Sequence, residues 1–118
     1  MEFIIKGKVG VFYFIENKEN NIIAFISFYK NKSDPSVIES VKVANLYMRD
    51  EGDLLSDTLD LTSHLLKNYR EVNFSASIYN VKAVMSYDLF FNRHKGDPKN
   101  RVQDGNEINW KLIQEFSY

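Results

Sequence analysis

Two kinds of hydrophobic spacing alternate along this chain, and the point where one gives way to the other constrains the fold more than any single residue. Leu54, Leu55, Thr58, Leu59, Leu61, Thr62, Leu65 and Leu66 recur at intervals of three and four, which is the stripe of an amphipathic helix. Before it, Val41, Val43 and Asn45 alternate with Lys42, Ala44 and Leu46. After it, Val72, Phe74, Ala76 and Ile78 share one face, and both patterns are those of strands. A strand, a helix and a strand in succession form a crossover, which leaves the two strands parallel within one sheet.

The rest of the chain supplies neighbours for that pair. VGVFYFI (9–15) and IIAFISFYK (22–30) are β-branched and aromatic, and the polar ENKENN between them reads as a hairpin turn. Asp34-Pro35 punctuates before a third strand over 37–48, so three antiparallel strands open the fold as a meander. Asp53, Asp57 and Asp60 toward the start of the helix, with Lys67 and Arg70 toward its end, suit the helix dipole. A second helix is predicted over 81–92, then a polar loop over 92–106 with a turn signal at Asp104-Gly105, then a last strand in which Ile108, Trp110 and Leu112 alternate. The predicted order is β-β-β-α-β-α-β, an α/β class with a mixed, mostly antiparallel sheet. With 118 residues, 44% of them hydrophobic, the chain 1–118 reads as a single domain around one core.

Composition removes several functions. The formal charge of −1 gives no overall attraction to nucleic acid or to an anionic membrane. The absence of cysteine excludes disulfides, thiolate nucleophiles and cysteine zinc sites, and fits a reducing compartment. Only His64 and His94 are available for a histidine metal site or a triad, and neither lies in a motif for one. Glu2, Lys6 and Lys8 break up the apolar N-terminus, so neither a signal peptide nor a membrane span is expected, and a cytoplasmic protein is the default. Arg93, His94, Lys95, Lys99 and Arg101 make a basic cluster, but it matches no nucleic-acid motif and reads as a solvated loop.

Two short motifs sit at the boundaries of these elements. Arg49 and Gly52, in YMRDEGDLL, stand where the first helix begins; Asn80, Ala83 and Tyr87, in NVKAVMSYDLFF, stand where a strand hands over to the second helix. In this order the elements and motifs resemble the GNAT superfamily of N-acetyltransferases, over roughly residues 9–91. The resemblance implies a GNAT-like fold and acyl transfer from acetyl coenzyme A to an amine of a small-molecule or protein acceptor. It places backbone N–H groups near Leu46 to Met48 at the thioester carbonyl, Arg49 and Gly52 at the pyrophosphate, Asn80 and Ala83 along the pantetheine arm, and Tyr87 as the acid that protonates the departing thiolate.

This chain departs from the family in two ways. The family's first strand and the helices after it, which help form the acceptor side, have no room before the meander, so the domain is expected to be trimmed at its N-terminus. The pyrophosphate turn also carries Asp50, Glu51 and Asp53, with Leu54 where the family has a second small residue. At an effective dielectric of about 20, each carboxylate about 4 Å from a phosphate costs on the order of a few kcal/mol, against about 8 kcal/mol for a micromolar ligand.

Each candidate also has a plain structural reading. Tyr87 would be a core aromatic beside Ala83, Val84 and Phe91, Asn80 a helix cap, Arg49 a salt-bridge partner of Asp50 or Asp53, and Gly52 relief for a tight backbone. Glu39, on the third strand, is the candidate general base and is otherwise a solvent-facing charge. Phe12, Tyr13, Phe14, Phe25, Phe28 and Tyr29 put aromatics on both faces of one hairpin, more than one core face uses, which predicts a homo-oligomer or a partner surface there. The alternative to an enzyme is a GNAT-like scaffold without cofactor, acting as an interaction or inhibitor module through that hairpin.

Overall fold

In the computed structural model, strands β1 (Glu2–Ile5), β2 (Lys8–Glu16), β3 (Ile22–Lys30) and β4 (Val37–Asn45) precede helix α1 (Glu51–Leu66). Strand β5 (Glu71–Ser77), helix α2 (Val81–Arg93), a 3₁₀ turn (Pro98–Asn100), β6 (Arg101–Asp104) and β7 (Glu107–Ile113) follow. The structure describes residues 2–5, 8–16, 19–20, 22–45 and 51–114, without the side chains at 5, 15, 22–23, 44–45 and 51–58. The strands form one sheet in the order β1-β2-β3-β4-β5-β7-β6. Only the β4–β5 pair is parallel among the described strands, as the crossover through α1 requires.

The fold class stands as read from the sequence, with two strands added. A first strand does exist: β1 pairs antiparallel with β2, with Ile5 opposite Lys8. Only residues 6 and 7 lie between them in the sequence, so the sheet has a strand before the meander where the sequence reading left no room for one. The polar stretch 92–106 is not one loop either. It contains the 3₁₀ turn and β6, which pairs with β7 through a two-residue turn in which Gly105 takes a φ of +60°, a conformation glycine adopts without strain. The third strand is described to Asn45, and 46–48 lie outside the described residues.

Both helices pack on one face of the sheet. Thr62 and Leu66 of α1 and Tyr87, Phe90 and Phe91 of α2 are buried there, against Val11, Ile26, Phe28, Ile38, Val41, Val72, Phe74, Ile108, Trp110 and Leu112 from five strands. The helices are tied to each other by Ser63 Oγ and His94 Nε2 at 2.8 Å and by an ion pair of Arg93 with Asp60. Two devices fasten the helices to the strands. Gln114 Nε2 donates to the carbonyls of Leu66 and Tyr69 at 2.7 and 2.8 Å, beside the Tyr69 N–H that the Leu66 carbonyl also accepts at 3.2 Å. Asp88 accepts from Arg101 Nε at 2.7 Å and from Trp110 Nε1 at 2.9 Å, pinning α2 to β6 and β7. The basic cluster is thereby largely spoken for, since Arg93, His94 and Arg101 all have partners within the chain.

A candidate cofactor gap between two strands

The sequence of β4 breaks its own alternation. Ile38 and Val41 are both buried in the core although they stand three positions apart, so one extra residue must be accommodated. Ser40 takes it up, in a left-handed backbone conformation with φ +53°. Registers on both sides record the same insertion. Against β3, Tyr29 pairs with Glu39 and Ser27 with Lys42, two steps matched by three; against β5, Ile38 pairs with Val72 and Val41 with Phe74. This is a β-bulge in a central strand, and bulges bend the strand that carries them.

Beyond the Val41–Phe74 pair no further β4–β5 pairing occurs among the described residues, although β4 runs on to Asn45 and β5 to Ser77. The Val43 N–H points into that gap, and Tyr87 Oη accepts its hydrogen bond at 3.2 Å. Tyr87 is 4% exposed, with its ring against Phe74 (5.1 Å) and edge-on to Trp110 (5.5 Å). Burial pushes its phenol above the ordinary value, while the Val43 N–H works the other way by favouring phenolate. The oxygen accepts from the amide, so its own proton remains free to be given elsewhere.

On the far side of the sheet the same gap opens into a cavity of about 410 Å³ lined by Lys42, Ser75, Ser77, Asp104, Asn106 and Glu107. Lys42 Nζ reaches across from β4 to the Ser75 carbonyl at 3.3 Å, so a side chain stands where ladder bonds would run. These residues were not singled out in the sequence. Their only signal there is polar residues on β4, β5, β6, β7 and the turn before β7, which any solvent face also shows.

Asn80 caps α2, its Oδ1 accepting from Ala83 N at 3.2 Å. Tyr87 lies two turns further along the same helix. Glu39 does not join this group. It faces the other side of the sheet, held by Asn31 Nδ2 at 2.8 Å and Lys8 Nζ at 3.4 Å, roughly 13 Å along β4 from Val43 at about 3.3 Å per residue. Gly52 falls in the first turn of α1, whose helix begins at Glu51. Leu46, Met48, Arg49 and Asp50 lie outside the described residues.

No family model matches the chain, and no curated protein matches it. Solved structures do. A mutant of spermidine N-acetyltransferase SpeG from Vibrio cholerae superposes with a TM-score of 0.62 at 12% identity, over 89% of this chain and 66% of that one. A dodecameric spermidine N-acetyltransferase from Vibrio cholerae gives 0.58 at 15%, over 89% and 65%. A chimera of Vibrio cholerae SpeG and hSSAT gives 0.59 at 15%, over 89% and 67%. This chain thus spans just under two thirds of the length of the first two, and its fold is GNAT-like.

Proposed function

We propose that the chain binds acetyl coenzyme A in the gap between β4 and β5 and transfers the acetyl group to an amine that approaches from the sheet face without helices. The observation that carries this reading is the place of Tyr87, a phenol whose oxygen sits on the Val43 amide where the two strands part. The GNAT-like fold supports it.

In the reaction the amine nitrogen attacks the thioester carbon, the C–S bond breaks, and Tyr87 gives its proton to the departing sulfur. The substituted ammonium then loses a proton to a carboxylate or to water. Burial keeps Tyr87 protonated at physiological pH, and the Val43 N–H stabilises the phenolate left behind. Backbone N–H groups at Leu46 to Met48 would polarise the carbonyl, Asn80 and Ala83 would flank the pantetheine arm, and Arg49 and Gly52 would meet the pyrophosphate.

The cavity over the gap suits the acceptor. Asp104 and Glu107 favour a cationic amine, and Asn106, Ser75 and Ser77 offer hydrogen bonds. Glu39 faces the same side at a greater distance and is a further carboxylate to consider as base. The similar structures are spermidine N-acetyltransferases, so a polyamine is the first acceptor to try. The test is release of free thiol from acetyl coenzyme A over a panel of polyamines and lysine peptides. Tyr87→Phe is expected to lower turnover by about 100-fold with cofactor affinity nearly unchanged; full activity in that variant would remove Tyr87 from the mechanism.

A further inference from the structure

A primary amine of the chain itself already stands at the gap. Lys42 follows the bulge at Ser40 and precedes Val43, whose N–H meets Tyr87 Oη where the strands part. Val41 is buried in the core, so its neighbour Lys42 leaves the sheet on the opposite face, over the opening. From there Nζ crosses to the Ser75 carbonyl of β5 at 3.3 Å. No β4–β5 pairing follows the Val41–Phe74 pair among the described residues, so this contact bridges the gap itself.

The surroundings of Lys42 set it apart from the other lysines on the described strands. Those are held by carboxylates: Lys8 by Glu39 at 3.4 Å, Lys30 by Glu2 at 3.1 Å and Lys111 by Glu71 at 4.0 Å. Lys42 has only the backbone carbonyl, which uses one of the three hydrogens an ammonium can donate, and its exposure leaves the others to water. It is also the one cation among the residues lining the cavity, which it shares with Asp104 and Glu107.

We propose that Lys42 is an internal acetyl acceptor, taking one acetyl group from coenzyme A bound in the gap, and that its acetylation strengthens the cavity's hold on an outside amine. This rests on the reading of the gap as an acetyl-donor site. Nζ first gives a proton to water. The neutral amine then attacks the thioester carbon, the C–S bond breaks, the sulfur takes the proton of Tyr87, and the new amide nitrogen releases its extra proton to water, which reprotonates Tyr87. An amine held beside the donor reacts as though at high concentration, so Lys42 outpaces lysines elsewhere on the surface. The product is a neutral amide that keeps an N–H for Ser75. Asp104 and Glu107 then line the cavity without a cation, and a cationic acceptor meets no like charge there.

Intact mass and peptide mapping after incubation with saturating acetyl coenzyme A read the modification directly. One acetyl group per chain is expected, on Lys42, at a rate unchanged by dilution of the protein and lowered by about 100-fold in Tyr87→Phe. Lys42→Arg is expected to take up none at that rate. A second readout needs no cofactor: Lys42→Gln, whose side chain ends in a neutral amide, is expected to bind spermidine about fivefold tighter than the parent chain in calorimetry. Binding of acetyl coenzyme A with Lys42 left unmodified overturns the inference and leaves acyl transfer to outside amines standing. Label spread over surface lysines at a rate indifferent to Tyr87→Phe is uncatalysed acylation and overturns it too, as does unchanged spermidine affinity in Lys42→Gln. Absence of any cofactor binding overturns the acyl-transfer reading, and this inference with it.

Discussion

Tyr87 joins the core to the site. Its ring fills the space between Phe74 and Trp110, and its hydroxyl serves the Val43 N–H. The ring was legible in the sequence, because Tyr87 falls on the apolar face of α2. The hydroxyl's partner was not, since it lies 44 residues away and depends on where β4 stops pairing. Both roles predict the behaviour of Tyr87→Phe. Losing the oxygen leaves a buried amide unpaired, so urea unfolding should show a loss of about 1–2 kcal/mol beside the fall in turnover. A variant as stable as the parent would mean that water replaces the hydroxyl at Val43. Asn80 was equally legible as a cap, because capping needs only residues three apart in sequence.

At the scale of elements, the bulge in β4 decides where the sheet opens. Its signal was present in the sequence as two core residues three apart, Ile38 and Val41, but a strand read only for alternation hides it among neighbouring valines. β1 and β6 escaped for another reason. Each has four residues, and all four in β6 are exposed, so no alternation marks it. The bulge gives a specific prediction. Without Ser40, residues 38, 39, 41, 42 and 43 alternate between core and open face without interruption. Deleting Ser40 should therefore keep the fold, extend the β4–β5 ladder past Val41, slow hydrogen exchange at the Val43 amide and abolish coenzyme A binding. Undiminished binding in the deletion variant would place the cofactor elsewhere.

For the whole molecule, two ionisable locks set the acid limit. Asp34 accepts from Ser36 Oγ at 2.6 Å and from Arg70 Nη2 at 2.7 Å, and these partners hold its pKa at about 2, below the ordinary 3.8. Its contribution is present above pH 3.8 and is lost as pH falls through 2. His94 lies between the helices, and burial, with the charge of Arg93 added, pushes it below its ordinary 6.5. The folded state therefore prefers neutral imidazole, whose stabilising effect is present above pH 6.5 and is lost as pH falls through the folded value. Urea midpoints should decline from pH 7 toward pH 5, and His94→Asn should flatten that decline. An unchanged slope in the variant would remove His94 as its source.

The layered plan was legible because hydrophobic period reports which face of each element is buried. What covers the second face was not, because aromatic density on a hairpin says that rings exceed the core without saying where they go. No helix among the described residues is long and apolar enough to cross a membrane.

The central claim is that the gap at Val43 and Tyr87 holds an acetyl donor. Calorimetric titration of the purified chain with acetyl coenzyme A, at low and moderate salt, tests it most directly. The account predicts saturable binding on the order of micromolar, lost when Ser40 is deleted. No binding up to millimolar cofactor would contradict it and leave a GNAT-like scaffold whose function lies in its surfaces.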